Sequence, residues 1–197
     1  CYPTCSILGL APLIKNRLVD TKNIIIDAAS GVTGAGRNAD LPYQFCECTE
    51  NFKAYKVSTH RHTSEIEQEI SLLAGEEITV SFTPHLVPMK RGMLCTIYAN
   101  LACEKDTAEL IALYKEYYKD ECFVRILDEG ILPETKNVAG SNYIDISLVV
   151  DKRLNRVIVL SAIDNLGKGA AGQAVQDLNI MFGLPENRGL TSPGLYL

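Results

Sequence analysis

A cysteine set just ahead of a proline and a run of small residues, Cys1-Tyr2-Pro3-Thr4-Cys5-Ser6, is a place where a thiol can be made reactive. The apolar stretch Ser6-Ile7-Leu8-Gly9-Leu10-Ala11-Pro12-Leu13-Ile14, closed by Lys15-Asn16-Arg17, predicts a buried helix that starts near Pro3 or Thr4. Cys1 then stands before a helix N-terminus, where unpaired amides and a partial positive charge favour the thiolate, the form that acts as a nucleophile. A cysteine in such a place also packs as a small apolar residue, and the residues alone leave both readings open.

Three other clusters could serve a thiolate. Ser30-Gly31-Val32-Thr33-Gly34-Ala35-Gly36-Arg37 combines glycines that let amides approach an oxyanion with a guanidinium that matches carboxylate or phosphate, so Ser30, Gly31, Gly34 and Arg37 are candidate anion contacts. It fits neither the P-loop nor the dinucleotide fingerprint, and a plain Gly-rich turn is the alternative. His60-Arg61-His62 holds two of the chain's three histidines; on an extended segment both rings point to one side, where one chemistry can use both. Pro84, Pro88, Lys90 and Arg91 make a rigid basic connection suited to an anionic substrate, or to solvent. Cys46 and Cys48 with His60 and His62 reach a metal-ligand count of four, but neither pair has finger spacing and the cysteines read as part of a strand, so no metal is assigned.

The elements that must position these residues follow from periodicity. Asn23 to Ala29 reads as a buried strand running into the Gly-rich loop, and Ala54 to His62 as a strand ending in the histidine cluster. An amphipathic helix follows from Thr63 to Gly75, with Ser64 and Glu67 at capping-box spacing and Gly75 as its stop. Glu77 to Leu86 and Arg91 to Asn100 are strands, Asp106 opens a tyrosine-rich packing helix, and Phe123 to Leu127 is a short strand. Asp128 to Asn142 is an ordered loop, and Tyr143 to Val150 with Arg156 to Ile163 form a hairpin. In Asp164 to Gly183 the glycines cost roughly 1 kcal/mol each inside a helix, so a close neighbour, either another helix or a flat ligand, is expected there.

Composition bounds the rest. The chain has 197 residues, 47% hydrophobic and 22% charged, enough for one full core with at most an appendage. A net charge of −5 with scattered basic residues gives no support for a nucleic-acid partner, and no apolar run approaches a membrane span or has the pattern of a signal peptide. Seven cysteines, an odd number with a tight Cys46-x-Cys48 pair, suit a reducing cytoplasm better than a secreted disulfide framework. A start without methionine, in the middle of an apparent motif, is expected of a processed subunit or of the C-terminal part of a longer protein.

Taken in order, Cys1-Tyr2-Pro3-Thr4, the Ser30 to Arg37 loop, His60-Arg61-His62-Thr63-Ser64-Glu65-Ile66-Glu67-Gln68-Glu69, His85-Leu86-Val87-Pro88-Met89-Lys90-Arg91-Gly92 and Asn165-Leu166-Gly167-Lys168-Gly169-Ala170-Ala171-Gly172-Gln173 closely resemble the N-acetyl-gamma-glutamyl-phosphate reductase family. The resemblance implies an α+β fold, a mixed and largely antiparallel sheet flanked by helices, of the glyceraldehyde-3-phosphate dehydrogenase-like catalytic type. It implies an enzyme of arginine biosynthesis that reduces an acyl phosphate to a semialdehyde with NADPH through a cysteine thioester. Cys1 matches the nucleophile and His62 the acid/base group, with His60 the less favoured candidate for that step. Ser30, Gly31, Gly34, Arg37, His60 and Arg91 are then candidates for holding substrate, and Asn165, Gly167, Lys168 and Gly169 for meeting the cofactor.

The resemblance also implies a dinucleotide-binding domain ahead of Cys1. Residues 1–163 are then a catalytic and dimerisation domain, 164–197 a loop and helix packing on that other domain, and the protein a homo-oligomer. An isolated chain of this kind is expected to turn over poorly. Two rivals stand beside this reading: an N-terminal-nucleophile hydrolase using Cys1, and a dimerisation or scaffold fragment without catalysis.

Overall fold

The structure, a computed structural model, describes residues 1–195, and in it the opening run folds as helix α1, Tyr2–Lys15, with Cys1 at its N-cap. Pro3 falls in the first turn, where its missing N–H is one of the amides that would have no helical partner anyway. Apolar side chains lie on nearly every side of α1, and Tyr2, Cys5, Leu10, Leu13 and Ile14 are all buried in the core. Pro12 inside the helix has no N–H to give to the Leu8 carbonyl. The partner comes from outside: Tyr118 donates its hydroxyl to that carbonyl at 2.6 Å, and Tyr114 donates to the Gly9 carbonyl at 2.6 Å. Both tyrosines come from helix α4, Thr107–Tyr117, and its C-terminal cap, so the tyrosine-rich helix packs as expected and also satisfies the proline-broken turn.

Seven strands form one sheet: β1 Ile24–Gly31, β2 Lys53–Ala54, β3 Val80–Val87, β4 Met93–Asn100, β5 Val124–Ile126, β6 Ile144–Asp151 and β7 Arg156–Ile163. Their order is β2-β3-β1-β4-β7-β6-β5, with β1/β3 and β5/β6 parallel and the other neighbours antiparallel, the mixed and largely antiparallel sheet that was expected. Helices α1, α4 and α3 (His62–Ala74) pack over one face, where Ile26, Ile97, Val159 and Leu148 are buried. Across the opposite face, Ile25, Tyr98, Ile158 and Val149 stand side by side on β1, β4, β7 and β6 and stay partly exposed.

Several local expectations need correction. Ala54 to His62 is not a strand; Lys53 and Ala54 pair with β3, the Tyr55 amide adds one bond to the Pro84 carbonyl, and the chain then turns at Lys56 to Thr59. Cys46 to Cys48 lie in a short helix, α2 Phe45–Cys48, rather than in a strand. Ser64 and Glu67 form no capping box: Arg61 is the N-cap of α3, Ser64 donates back to the Arg61 carbonyl, and Glu67 accepts from the Val80 amide instead. A capping box does exist at Asp106 and Glu109, and Gly75 closes α3 with φ 74°. The loop from Asp128 to Asn142 contains a helical turn, α5 Thr135–Val138. After β7 a π-helical turn, Gly167–Ala171, precedes helix α6, Gly172–Met181.

Candidate active site

Cys1 is half-buried at the head of α1, and its carbonyl starts the helix by accepting the Cys5 amide at 3.1 Å. The π-turn passes directly against it. A Cβ added at Gly169 would lie 2.6 Å from the Cys1 Cβ, so nothing larger than glycine fits without movement. The close neighbour expected from the Gly/Ala-rich run is therefore helix α1, at the cysteine itself.

Cys1 opens into a cleft of ≈ 300 Å³ that also takes in Ser30, Gly31, Gly34, His60 and His62. Six residues chosen from three separate stretches of sequence thus meet in one place. Arg37 does not join them; it is exposed beyond Gly36. Arg91 is engaged elsewhere, with its Nε 3.2 Å and its terminal nitrogen 2.9 Å from the two carboxylate oxygens of buried Asp164. Asp164 accepts further from the amides of Gly140, Leu166 and Gly167, so Arg91 clamps a turn instead of facing the cleft.

The histidines come together without the strand that was expected to align them. His60 and His62 have ring centroids 4.9 Å apart, and the His62 amide donates to His60 Nδ1 at 3.2 Å. With Nδ1 as acceptor, a neutral His60 carries its proton on Nε2. Tyr2, Tyr55 and Phe82 set their rings edge-on to His60 at 5.3, 5.5 and 5.6 Å. Tyr55 donates to the Tyr2 hydroxyl, which donates to the His85 carbonyl; burial first, then the neighbouring Tyr55, keeps the Tyr2 phenol protonated. His62 has a buried Nδ1 without a partner among the described residues. Burial, followed by the positive α-amine of Cys1, His60 and Arg61, lowers its pKa to about 4, and burial together with Lys56 and Arg61 lowers that of His60. His62 is thus neutral near pH 7 and free to accept a proton.

Lys56 and Arg61 also line the cleft, and among the described residues no Asp or Glu does, in a chain whose net charge is −5. Sequence reasoning missed Lys56, Arg61, Tyr55 and Tyr2. Arg61 was visible between the two histidines but had no assigned task. Lys56 sits in a turn where it and Ser58 adopt φ 46° and 60°, with no glycine to mark the turn.

Of the residues expected to meet a cofactor, Gly167 and Gly169 belong to the π-turn beside Cys1, while two side chains point into the protein. Asn165 is buried, accepting from the Gly92 amide and donating to Thr33 Oγ1. Lys168 is buried with its Nζ 2.6 Å from Gln176 Oε1 and 5.6 Å from the centre of the Phe123 ring, and burial lowers its pKa.

A helix-borne cysteine and two imidazoles thus meet in a cleft lined by no carboxylate among the described residues, on a mixed sheet. By comparison with known proteins, the chain belongs to the family described as semialdehyde dehydrogenase, dimerisation domain, which it matches over residues 1–165. It is 86% identical over all 197 residues to the N-acetyl-gamma-glutamyl-phosphate reductase of Acetivibrio thermocellus and 63% identical over 196 residues to that of Desulforamulus reducens. In both cases it spans 57% of the relative's length. The fold is shared with aspartate semialdehyde dehydrogenase II from Vibrio cholerae, with a TM-score of 0.69 at 15% identity over 90% of this chain and 59% of that one. The aspartate semialdehyde dehydrogenase of Francisella tularensis gives 0.70 at 14% identity over 92% of this chain and 63% of that one. The resemblance seen in the five sequence motifs is borne out, as is the glyceraldehyde-3-phosphate dehydrogenase-like catalytic fold.

Proposed function

We propose that this chain is the thiol-bearing part of an NADP-dependent reductase that converts N-acetyl-gamma-glutamyl phosphate to N-acetylglutamate semialdehyde in arginine biosynthesis. The observation that carries this reading is the meeting of Cys1 with His60 and His62 in a cleft lined by Lys56 and Arg61 and by no carboxylate. Substrate and cofactor identity follow the relatives and the sequence resemblance.

The residues divide the work as follows. His62 takes the Cys1 thiol proton, and the helix N-terminus together with the new imidazolium stabilises the thiolate. The sulfur attacks the acyl carbonyl, the carbon–oxygen bond to phosphate breaks, and the acyl group remains on Cys1 as a thioester. His60 Nε2–H is the donor for the oxyanion, with Lys56 and Arg61 supplying charge opposite to that of the departing phosphate and the Ser30 to Gly34 loop lining the cleft beside it. The described residues fit the reactive end of a dinucleotide in one respect: the π-turn puts Gly169, which has no side chain, against Cys1, and the next residue, Ala170, is small and exposed. When bound, a reduced nicotinamide supplies a hydride to the thioester carbon. His62 protonates the resulting oxygen, then recovers that proton as the carbon–sulfur bond breaks, freeing the aldehyde and the Cys1 thiolate.

Two surfaces support the proposed partners. Helix α6 is inside out: Gln176 and Asn179 are buried, while Val175, Leu178, Met181 and Phe182 are exposed. An apolar face turned to water suits a second domain, so residues 164–197 are the proposed contact with a dinucleotide-binding domain; residues 196 and 197 of that span lie outside the described residues. The partly exposed row Ile25, Tyr98, Ile158 and Val149 is the proposed face for a second copy, in keeping with the family's description as a dimerisation domain. No helix among the described residues is long and apolar enough to cross a membrane, and the seven free thiols fit a reducing cytoplasm.

Acylation needs no cofactor, so the 197-residue chain tests it directly. Incubation with N-acetyl-gamma-glutamyl phosphate and acid quench should give an acyl adduct on Cys1 by intact mass, absent in Cys1→Ser. An adduct on the Cys1→Ser chain, or none on the wild type, overturns the role of Cys1. Sustained NADPH-dependent turnover by this chain alone would contradict the proposed need for a second domain.

A further inference from the structure

The cleft has a hidden fastening beneath it, at Asn165. Its Oδ1 accepts from the Gly92 amide at 2.7 Å, and its Nδ2 donates to Thr33 Oγ1 at 2.9 Å. Thr33 passes the tie on by donating its hydroxyl to the Lys90 carbonyl, to which its own amide also donates. The same Nδ2 lies under Gly34, 3.6 Å from where a Cβ would be, and Gly34 faces the cleft. Next along the chain, the Asp164 carbonyl accepts the Gly169 amide at 3.0 Å, and Gly169 abuts Cys1. A single buried side chain therefore links the loop that lines one side of the cleft to the turn that locates the thiol on the other.

We infer that Asn165 is a positioning residue that fixes the Ser30 to Ala35 loop at a set distance from Cys1, and that it acts on the acyl-phosphate end of the substrate, not on the cofactor. Both polar atoms of its side chain are spent on Gly92 and Thr33, and the residue is 1% exposed. A fully paired buried amide of this kind holds backbone in place, and removing one partner leaves the other unsatisfied. The functional consequence rests on the reading of the cleft given above; the tie itself does not.

The test uses Thr33→Val, Thr33→Ser and Asn165→Asp in the full-length protein. Hydrogen exchange is read on peptides covering residues 30–37 and 165–171, and steady-state kinetics with acyl phosphate and NADPH. Thr33→Val removes the hydroxyl while keeping the side chain's shape; it should speed exchange in both peptides and raise the acyl-phosphate KM about tenfold, with kcat and the NADPH KM within about twofold. Thr33→Ser should restore both. Asn165→Asp should match Thr33→Val, and the double variant should be no worse than either, because both break one link. Exchange that changes in only one peptide overturns the tie. An unchanged acyl-phosphate KM, a raised NADPH KM, or multiplicative loss in the double variant overturns the role. A wild type that never reduces the acyl phosphate sinks the proposed function instead, while the exchange data still decide the tie.

Discussion

The two walls of the cleft are built on opposite principles. One wall carries Cys1, half-buried at the head of α1 and backed by the π-turn and the Asp164-Asn165 junction, which the Arg91–Asp164 ion pair and the side-chain hydrogen bonds of Asn165 to Gly92 and Thr33 brace across long stretches of sequence. The other, from Asn38 to Arg61, is a surface excursion. It holds a two-residue strand and a four-residue helix, bears Lys56 and Ser58 in left-handed conformations, and exposes Phe45 and Phe52. Cys1, the proposed nucleophile, sits on the rigid wall, while Lys56, Arg61 and His60 sit on or at the end of the adjustable one. Placement within a fraction of an ångström matters most for the attacking atom, whereas charge complementarity to a phosphate tolerates movement.

If that contrast holds, damage to the rigid wall should dominate. Gly169→Ala forces a methyl into the Cys1 Cβ, and a shift of the sulfur by about 1 Å is expected to cost on the order of 100-fold in the rate of Cys1 acylation. Intact-mass kinetics of the acyl adduct would show it. Next in size is Arg91→Ala, which leaves Asp164 buried with backbone amides alone; a loss of about 2–3 kcal/mol, or roughly 4–12 °C in Tm, is expected by thermal unfolding. Near-wild-type Tm would show that the clamp is redundant.

The histidine pair, where the adjustable wall runs into α3, should respond to pH more gently. The pKa of His62, about 4 in the folded chain, lies below its unfolded value near 6.5, so the unfolded chain binds more protons between those values. Stability should therefore fall as pH drops from about 6.5 to 4, then stop responding to this group. His62→Gln should flatten the Tm against pH curve over that window; an unchanged curve would mean that His62 is not held neutral by the fold. The effect is modest because the ring is only partly shielded from water.

The same contrast explains what was legible in the sequence. The run opening α1, the alternation of β3, the Asp106 cap, the Gly75 stop and the β6/β7 hairpin are local patterns, and the structure follows them. Cys1, Ser30, Gly31, Gly34, His60 and His62, which share one cleft, were legible as candidates because glycine, histidine and a thiol at a helix start carry their signal in residue type. Arg91 was misplaced because its partner, Asp164, lies 73 residues away, and Lys168 because its charge is buried against Gln176 and Phe123. On the adjustable wall the alternating residues after Ala54 imitate a strand, yet contact with β3 ends at the Tyr55 amide, one residue past the paired Lys53 and Ala54. The turn at Lys56 to Thr59 gives no glycine or proline signal, so its left-handed residues could not be foreseen.

Those left-handed residues give the smallest and most discriminating prediction. A non-glycine residue in that region carries roughly 1 kcal/mol of backbone strain, so Ser58→Gly, at φ 60° and exposed, should relieve strain in the folded state. It also gives the unfolded chain more freedom, which offsets part of the gain, and the net change in Tm should be within about 2–3 °C. Acyl-phosphate binding should respond more than stability does, because a looser turn lets Lys56 wander from the cleft. Kinetics in the full-length protein should show a few-fold rise in KM with an unchanged rate of Cys1 acylation at saturation. A slower saturated acylation rate would mean that the excursion also helps to place the nucleophile, and the division between a rigid wall for the sulfur and an adjustable wall for the charge would fail.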